Sequence, residues 1–305
     1  MRIEDVPMPE AKPGMVRVKI EAIGLNFIDI YQRSGQYKIA LPLTIGQEAA
    51  GIVDAVGQGV TEFKAGDKVA YGFSMGAYAE YASVQASQLV HVPAAVSANL
   101  AAALMLQGMT AHYLVTDTFA VQPGHTVLIH AAAGGTGQLA VQMAKLRGAR
   151  VLATCSDHKA HIAKEAGADE VLSYANFDEA VKQMTDGKGV DCVYDSVGKD
   201  TFERSLNCLR PRGMLVLFGQ ASGAVPPFDP QILSAKGSLF FTRPTLGAYL
   251  RTREELLGRA NEILGWVAAG KLKARIDREF KLADASSAHI ALNSRDTMGK
   301  VLLIP

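Results

Sequence analysis

Small residues at fixed spacing, Ala132-x-Gly134-x-x-Gly137, stand between a short apolar run, Thr126–Ile129, and a segment with Leu139, Met143 and Leu146 at helical intervals. The pattern predicts a buried strand, a tight turn and a helix. Small side chains in such a turn let the backbone approach a pyrophosphate, whose charge the free N–H groups and positive end of the following helix attract. Gly134, Gly135, Thr136 and Gly137 are therefore the expected phosphate contacts of a dinucleotide, with Ala in place of the first Gly of the fingerprint. Gly148 follows as a helix-closing residue, and a second strand-like run over 150–154 completes a strand–helix–strand unit.

The end of that second strand decides which dinucleotide. It reads Thr154-Cys155-Ser156-Asp157-His158-Lys159. An acidic residue about 20 positions past the turn would hold ribose hydroxyls and select NAD, and Asp157 stands near that distance. Ser156-Asp157 also reads as a helix N-cap. Lys159 offers an ammonium to a 2′-phosphate, with a hydroxyl from Tyr174 beside it; its plain alternative is a solvated helix residue. Position favours NADP over NAD.

The elements that hold these residues read as two domains. With 31 basic against 30 acidic residues the chain has no electrostatic case for nucleic acid. No apolar run approaches the ~18 residues of a membrane span, and no signal peptide is evident at the N-terminus. Cys155, Cys192 and Cys208 lack metal-type spacing and fit buried thiols in a reducing cytoplasm. From Val16 to about Val92 short alternating runs broken by Gly and Pro predict a mostly β domain, with strands at 16–22, 49–57, about 68–70 and 77–84. A helical turn or two is expected within 26–37. Over 98–115 two helices are expected, broken at Gln107-Gly108. Strands at Thr126–Ile129, 151–154, 170–173, Val190–Asp195, 213–218 and 238–242, with a helix at 200–209 among their crossovers, predict a doubly wound parallel sheet. Helices over 252–269 and 283–293, a segment at 276–282 and a last strand Lys300–Ile304 are expected to rejoin the first domain. The predicted organisation is α/β: residues 1–107, completed by 243–305, and a dinucleotide-binding domain at 108–242.

Several segments resemble the quinone oxidoreductases, the zeta-crystallin-like branch of the medium-chain dehydrogenases/reductases. They are Asn26-Phe-Ile-Asp-Ile-Tyr, Gly46-Gln-Glu-Ala-Ala-Gly51, Gln107-Gly-Met-Thr-Ala-His-Tyr, His130-Ala-Ala-Ala-Gly-Gly-Thr-Gly, Tyr194-Asp-Ser-Val-Gly and Gly299-Lys-Val, in family order along the whole chain. Family members usually carry another strand or two and a Gly-Gly-Pro segment ahead of the position of Met1.

The resemblance implies a GroES-like first domain, a Rossmann second domain, NADPH as cofactor and a homodimer. It implies phosphate and nicotinamide contacts at Asn26, Phe27, Ile28, Asp29, Thr110, Gly134, Gly135, Thr136 and Gly137. Contacts to the 2′-phosphate would come from Ser156, Lys159, Tyr174 and Arg295, and later loops would line the cofactor with Ser196, Phe218, Gly219, Phe241, Thr242 and Arg243.

Zinc is not expected. Alcohol dehydrogenases of the superfamily have Cys where this chain has Asn26 and His where it has Gln47; the remaining Glu48 cannot hold a tetrahedral zinc alone and is expected to have a structural partner. The substrate is then one that accepts hydride without a Lewis acid, a quinone or an alkene conjugated to a carbonyl. Expected catalytic residues are Asn26, through its amide on a developing oxyanion or the nicotinamide ribose, Asp29 as an orienter, and Tyr31 and Tyr37 as donors or stacking faces. Asn26 as a helix cap and Tyr37 as a loop cover are the plainer alternatives, and His112 and His130 read as core histidines. An enone or alkenal reductase, and a protein that binds NADPH without turnover as lens crystallins do, are the competing functions.

Overall fold

The computed structural model describes all 305 residues. In chain order its elements are β1 Met15–Leu25, α1 Phe27–Arg33, β2 Glu48–Val56, β3 Lys68–Gly72, β4 Tyr81–Gln85, β5 Val90–His91, α2 Ala98–Ala102 and α3 Met105–Tyr113. There follow β6 Thr126–Ile129, α4 Gly135–Leu146, β7 Arg150–Thr154, α5 Ala160–Glu165, β8 Glu170–Leu172, α6 Phe177–Met184, β9 Val190–Asp195, α7 Phe202–Asn207, β10 Leu209–Leu217, α8 Gln231–Ala235 and β11 Phe240–Thr242. The chain ends with α9 Arg253–Ala268, β12 Ile276–Lys281, α10 Ala285–Asn293 and β13 Lys300–Ile304. They form two units, Met1–Met109 with Tyr249–Pro305, and Thr110–Ala248.

The first unit is built on a seven-stranded sheet, β12-β13-β1-β2-β3-β5, with β4 also pairing β1. Period-two alternation in β1 turns Val16, Val18 and Ile20 inward, where they meet Val53, Val69 and Val84. Each such side chain contributes roughly 1.5–3 kcal/mol on burial. The last strand pairs antiparallel with β1, Ile23 opposite Leu303, and α10 adds Ala285, Ala288 and Leu292 to the same core.

The second unit is a six-stranded parallel sheet in the order β11-β10-β9-β6-β7-β8. Strand order reverses between β6 and β9, so the loop leaving β6 opens at the switch point where such sheets bind ligands. No helix is long and apolar enough to cross a membrane.

Three local expectations are corrected. The helix break lies at residues 103–104, not at Gln107-Gly108, which sit inside α3; Gly108 is small because Ile263 packs against it, a Cβ there lying 3.3 Å from the Ile263 side chain. The segment 77–84 is extended only from Tyr81, since residues 78–80 form a bend. The helix expected over 200–209 spans Phe202–Asn207, and Leu209 already pairs with Val190 in the sheet. After α3 the backbone widens into a π-helical turn, Leu114–Thr118, where the Thr116 hydroxyl donates to the His112 carbonyl (2.8 Å).

Candidate functional site

The turn after β6 is held from behind. Ala131 adopts φ +51°, and its N–H donates to the Tyr174 hydroxyl oxygen (3.0 Å). Ala132 N–H donates to Thr154 O (2.9 Å), and the Gln138 amide donates to Ala133 O (2.7 Å). Gly137 is fixed by close approach: a Cβ there would lie 2.3 Å from Ala131 O. Gly135, Thr136 and Gly137 form the first turn of α4, so their N–H groups have no acceptor within the helix and are available to phosphate oxygens.

Beneath the turn lies a buried polar chain. His130 bonds Thr154 Oγ1 (2.7 Å) through Nδ1 and Ser205 Oγ (3.0 Å) through Nε2, and both Ser205 and Thr201 donate to Asp195 Oδ2 (2.9 and 2.7 Å). Burial lowers the His130 pKa, which keeps the ring neutral. The other oxygen of Asp195 accepts from Val197 and Gly198 N–H, fixing the loop that carries Ser196. Phe218 and Gly219 N–H donate to Asp195 O, so the structure gathers Ser196, Phe218 and Gly219 at one end of β9 and β10.

The end of β7 gathers Ser156, Lys159 and Tyr174. Lys159 is buried, which corrects the alternative of a solvated helix residue. Its charge opposes the burial that pushes the Cys155 thiol up. Ser156 stands at the cap position of a short 3-10 turn, Asp157–Lys159, with no side-chain bond to it, and Asp157 is exposed. The Tyr174 hydroxyl, expected on a 2′-phosphate, accepts from Ala131, so it also braces the turn. Phe241 packs edge-on against Phe228 (5.4 Å) and Phe202 (5.8 Å), Thr242 pairs with Val216, and Arg243 is exposed. Thr110 opens this unit within α3.

In the first unit, Asn26 and Asp29 occupy the start of α1 and are both buried. Asn26 is corrected: its amide is not free for an oxyanion. Nδ2 donates to Glu48 Oε2 (2.8 Å) and Gly24 O (2.9 Å), and Oδ1 accepts from Lys300 Nζ (2.8 Å). Lys300 also pairs with Glu48 Oε2 (2.5 Å), whose Oε1 takes the Leu106 N–H (2.6 Å) in the first turn of α3. Burial lowers the Lys300 pKa and Glu48 opposes it, so the pair neutralises itself away from water.

Asp29 Oδ2 accepts from the Asn26 N–H (2.9 Å) and the Tyr78 hydroxyl (3.2 Å). Burial pushes its pKa up to about 7. Phe27 and Ile28 are half-buried. The rings of Phe27 and Tyr31 lie 6.2 Å apart, and those of Tyr31 and Tyr37 5.4 Å apart, so the three form a row. Arg295 has φ +62° and belongs to this same unit.

Residues 12–94 match the alcohol dehydrogenase GroES-like domain, and residues 135–257 match the zinc-binding dehydrogenase model. A quinone oxidoreductase of Pseudomonas aeruginosa is 46% identical over 310 aligned positions, covering 100% of this chain and 95% of that protein. The chain belongs to the quinone oxidoreductase family. Within it, the crystal structure of the Escherichia coli quinone oxidoreductase complexed with NADPH superimposes with a TM-score of 0.95 at 45% identity, covering 98% of this chain and 95% of that one. A 2-haloacrylate reductase of Burkholderia is 41% identical over 99% of this chain and 94% of its own length.

Sequence reasoning missed Lys300, Tyr78 and His289. For Lys300 a signal existed: a cation opening the apolar run Lys-Val-Leu-Leu-Ile needs a buried anion, and Glu48 stands in a comparably apolar strand. Tyr78 and His289 carry no such signal, since they meet only through the fold.

Proposed function

We propose that this chain is an NADPH-dependent quinone reductase that works without zinc. The observation that carries the reading is the closed polar knot of Glu48, Lys300 and Asn26. A carboxylate that already takes an ammonium, an amide and a backbone N–H has no coordination to offer, and Asn26 and Gln47 are poor zinc ligands. The acceptor must therefore take a hydride without Lewis-acid help, which a quinone does.

The residues for the cofactor fit. First-turn amides of Gly135, Thr136 and Gly137 would bind the pyrophosphate, and Lys159, with Ser156 beside it, would bind the 2′-phosphate. When bound, the reduced nicotinamide supplies the hydride. Asp29 holds the start of α1 by accepting the Asn26 N–H, and the row of Phe27, Tyr31 and Tyr37 offers faces for a flat ring. The remaining cofactor contacts, Ile28, Thr110, Ser196, Phe218, Gly219, Phe241, Thr242, Arg243 and Arg295, rest on the family likeness.

A second reading, reduction of an alkene conjugated to a carbonyl, is favoured by the likeness to the 2-haloacrylate reductase. We further propose a homodimer through β11, the outermost strand of its sheet, whose Phe240 is 58% exposed, and a cytoplasmic location, in line with three free buried thiols. The test is an activity matrix of NADPH and NADH against a small quinone, a large quinone and an enone. Fastest turnover with NADPH and a quinone is expected. Preference for the enone selects the second reading, and tight NADPH binding without turnover selects a binding protein.

A further inference from the structure

We propose that Asp29, Tyr78 and His289 form a proton relay that ends on Oδ1 of Asp29 and serves the reduced acceptor; this rests on the quinone-reductase reading. Three elements distant in sequence meet to make it: α1, the bend before β4, and α10. Tyr78 Oη donates to Asp29 Oδ2 (3.2 Å) and lies 3.0 Å from His289 Nε2, with the two rings edge to face at 5.7 Å. With the one hydroxyl hydrogen directed at Asp29, Nε2 carries the hydrogen of the second bond.

Both ends of this chain are buried and unpartnered. Asp29 Oδ1 and His289 Nδ1 have no hydrogen-bond partner, although Asp29 and His289 are each 0% exposed. The middle is seated by Gly46, at φ +94°, where a Cβ would lie 2.1 Å from the Tyr78 ring.

Each member is in the state a relay needs. Asp29 faces Lys300, which lowers its pKa, and Glu48, which raises it, but burial dominates and brings it to about 7. Tyr78 faces Asp29, Arg33 and Glu48 and is held well above its ordinary value, so it stays protonated. Burial, with Arg33 and the Met1 amine, lowers His289 to about 4, so it is a neutral imidazole at neutral pH.

The step balances. A quinone that has accepted a hydride is a hydroquinone monoanion; its oxygen gains the proton of Asp29 as the Oδ1–H bond breaks. The carboxylate is refilled at Oδ2 by the Tyr78 hydrogen, Tyr78 by the Nε2 hydrogen of His289, and His289 takes its proton at Nδ1 from water admitted as α10 opens locally. The imidazole ends neutral in its other tautomer, and proton exchange and hydroxyl rotation reset the chain.

The test compares wild type with Tyr78→Phe and His289→Gln. In Tyr78→Phe, turnover above pH 7 is expected to fall about tenfold, less than the ~10² of an irreplaceable general acid because water competes. Single-turnover hydride transfer and the KM for NADPH are expected to hold, the solvent isotope effect to change, and imidazole buffer to restore turnover. An unaltered pH profile and solvent isotope effect in both variants would overturn the relay. A second readout needs no turnover: in the ligand-free protein, an infrared carboxylic-acid band lost in Asp29→Asn should titrate near neutrality, with its midpoint higher in Tyr78→Phe. Absence of that band overturns the relay, whereas its presence in a protein that reduces no quinone sustains the protonated Asp29 and overturns the quinone reading alone.

Discussion

The polar side chains of the first unit and the glycine turn of the second solve opposite problems. Glu48, Lys300 and Asn26 saturate one another in the absence of water, so their charges are self-contained. The turn brings up no charge of its own: small residues leave the first amides of α4 unpaired, and the polar chain under it, from Thr154 through His130 to Asp195, faces inward. A saturated network fixes backbone, whereas an unsaturated one waits for a ligand. Lys159 and Asp29 lie between these extremes, each a buried ionisable group, one after β7 and one in α1.

The largest effect should come from breaking the saturated side. Lys300→Met leaves Glu48 buried and unpaired and should cost about 3–5 kcal/mol in urea denaturation, while Glu48→Gln with Lys300→Met should recover much of it. A single variant as stable as wild type would mean that the pair is not an ionic one. Next, Lys159→Ala should weaken NADPH by about 1.5–3 kcal/mol and leave NADH unchanged, read as the ratio of the two Michaelis constants. Equal losses would remove Lys159 from the 2′-phosphate.

Asp29 sharpens the contrast through pH. Its folded pKa, about 7, exceeds the ordinary 3.8, so between these values the native state binds more protons than the unfolded chain and stability falls as pH rises. His289, lowered to about 4 from 6.5, acts in the opposite sense over its own window: the unfolded chain binds more protons, and stability rises with pH. Asp29→Asn removes the first contribution alone, so its stability relative to wild type should climb by up to ~1.4 kcal/mol per pH unit from about pH 4 to 7. A constant difference would show that Asp29 is ionised throughout. The smallest effect is that of Tyr174→Phe, which removes the acceptor of the Ala131 N–H and should weaken NADPH and NADH alike by about 1 kcal/mol. Loss confined to NADPH would instead make Tyr174 a 2′-phosphate contact.

The same contrast governs what could be read from the sequence. The turn is local, a strand, small residues and a helix within one stretch of chain, so spacing alone announces it. The parallel sheet was legible for a related reason: strands buried on both faces are continuous apolar runs, as in Val127, Leu128 and Ile129. The polar network was legible only as a need for buried partners at Glu48 and Lys300, not as the pairing itself. Lys300 and Glu48 are joined only because β13 pairs with β1 and β1 with β2, and no periodicity encodes that register. Asn26 illustrates the consequence: its residue type permits an oxyanion contact, and only the fold reveals that its amide is engaged by Glu48, Gly24 and Lys300. Gly108 errs in the other direction, since a residue that often breaks helices here makes room for Ile263.

Hydride transfer to a quinone with no metal at Glu48 is the central proposal. The direct measurement is NADPH-dependent quinone turnover before and after exhaustive chelation, with the zinc content of the same samples determined by elemental analysis. Unchanged turnover with zinc far below one equivalent is the predicted result; activity that is lost with the metal and returns when zinc is added would contradict it.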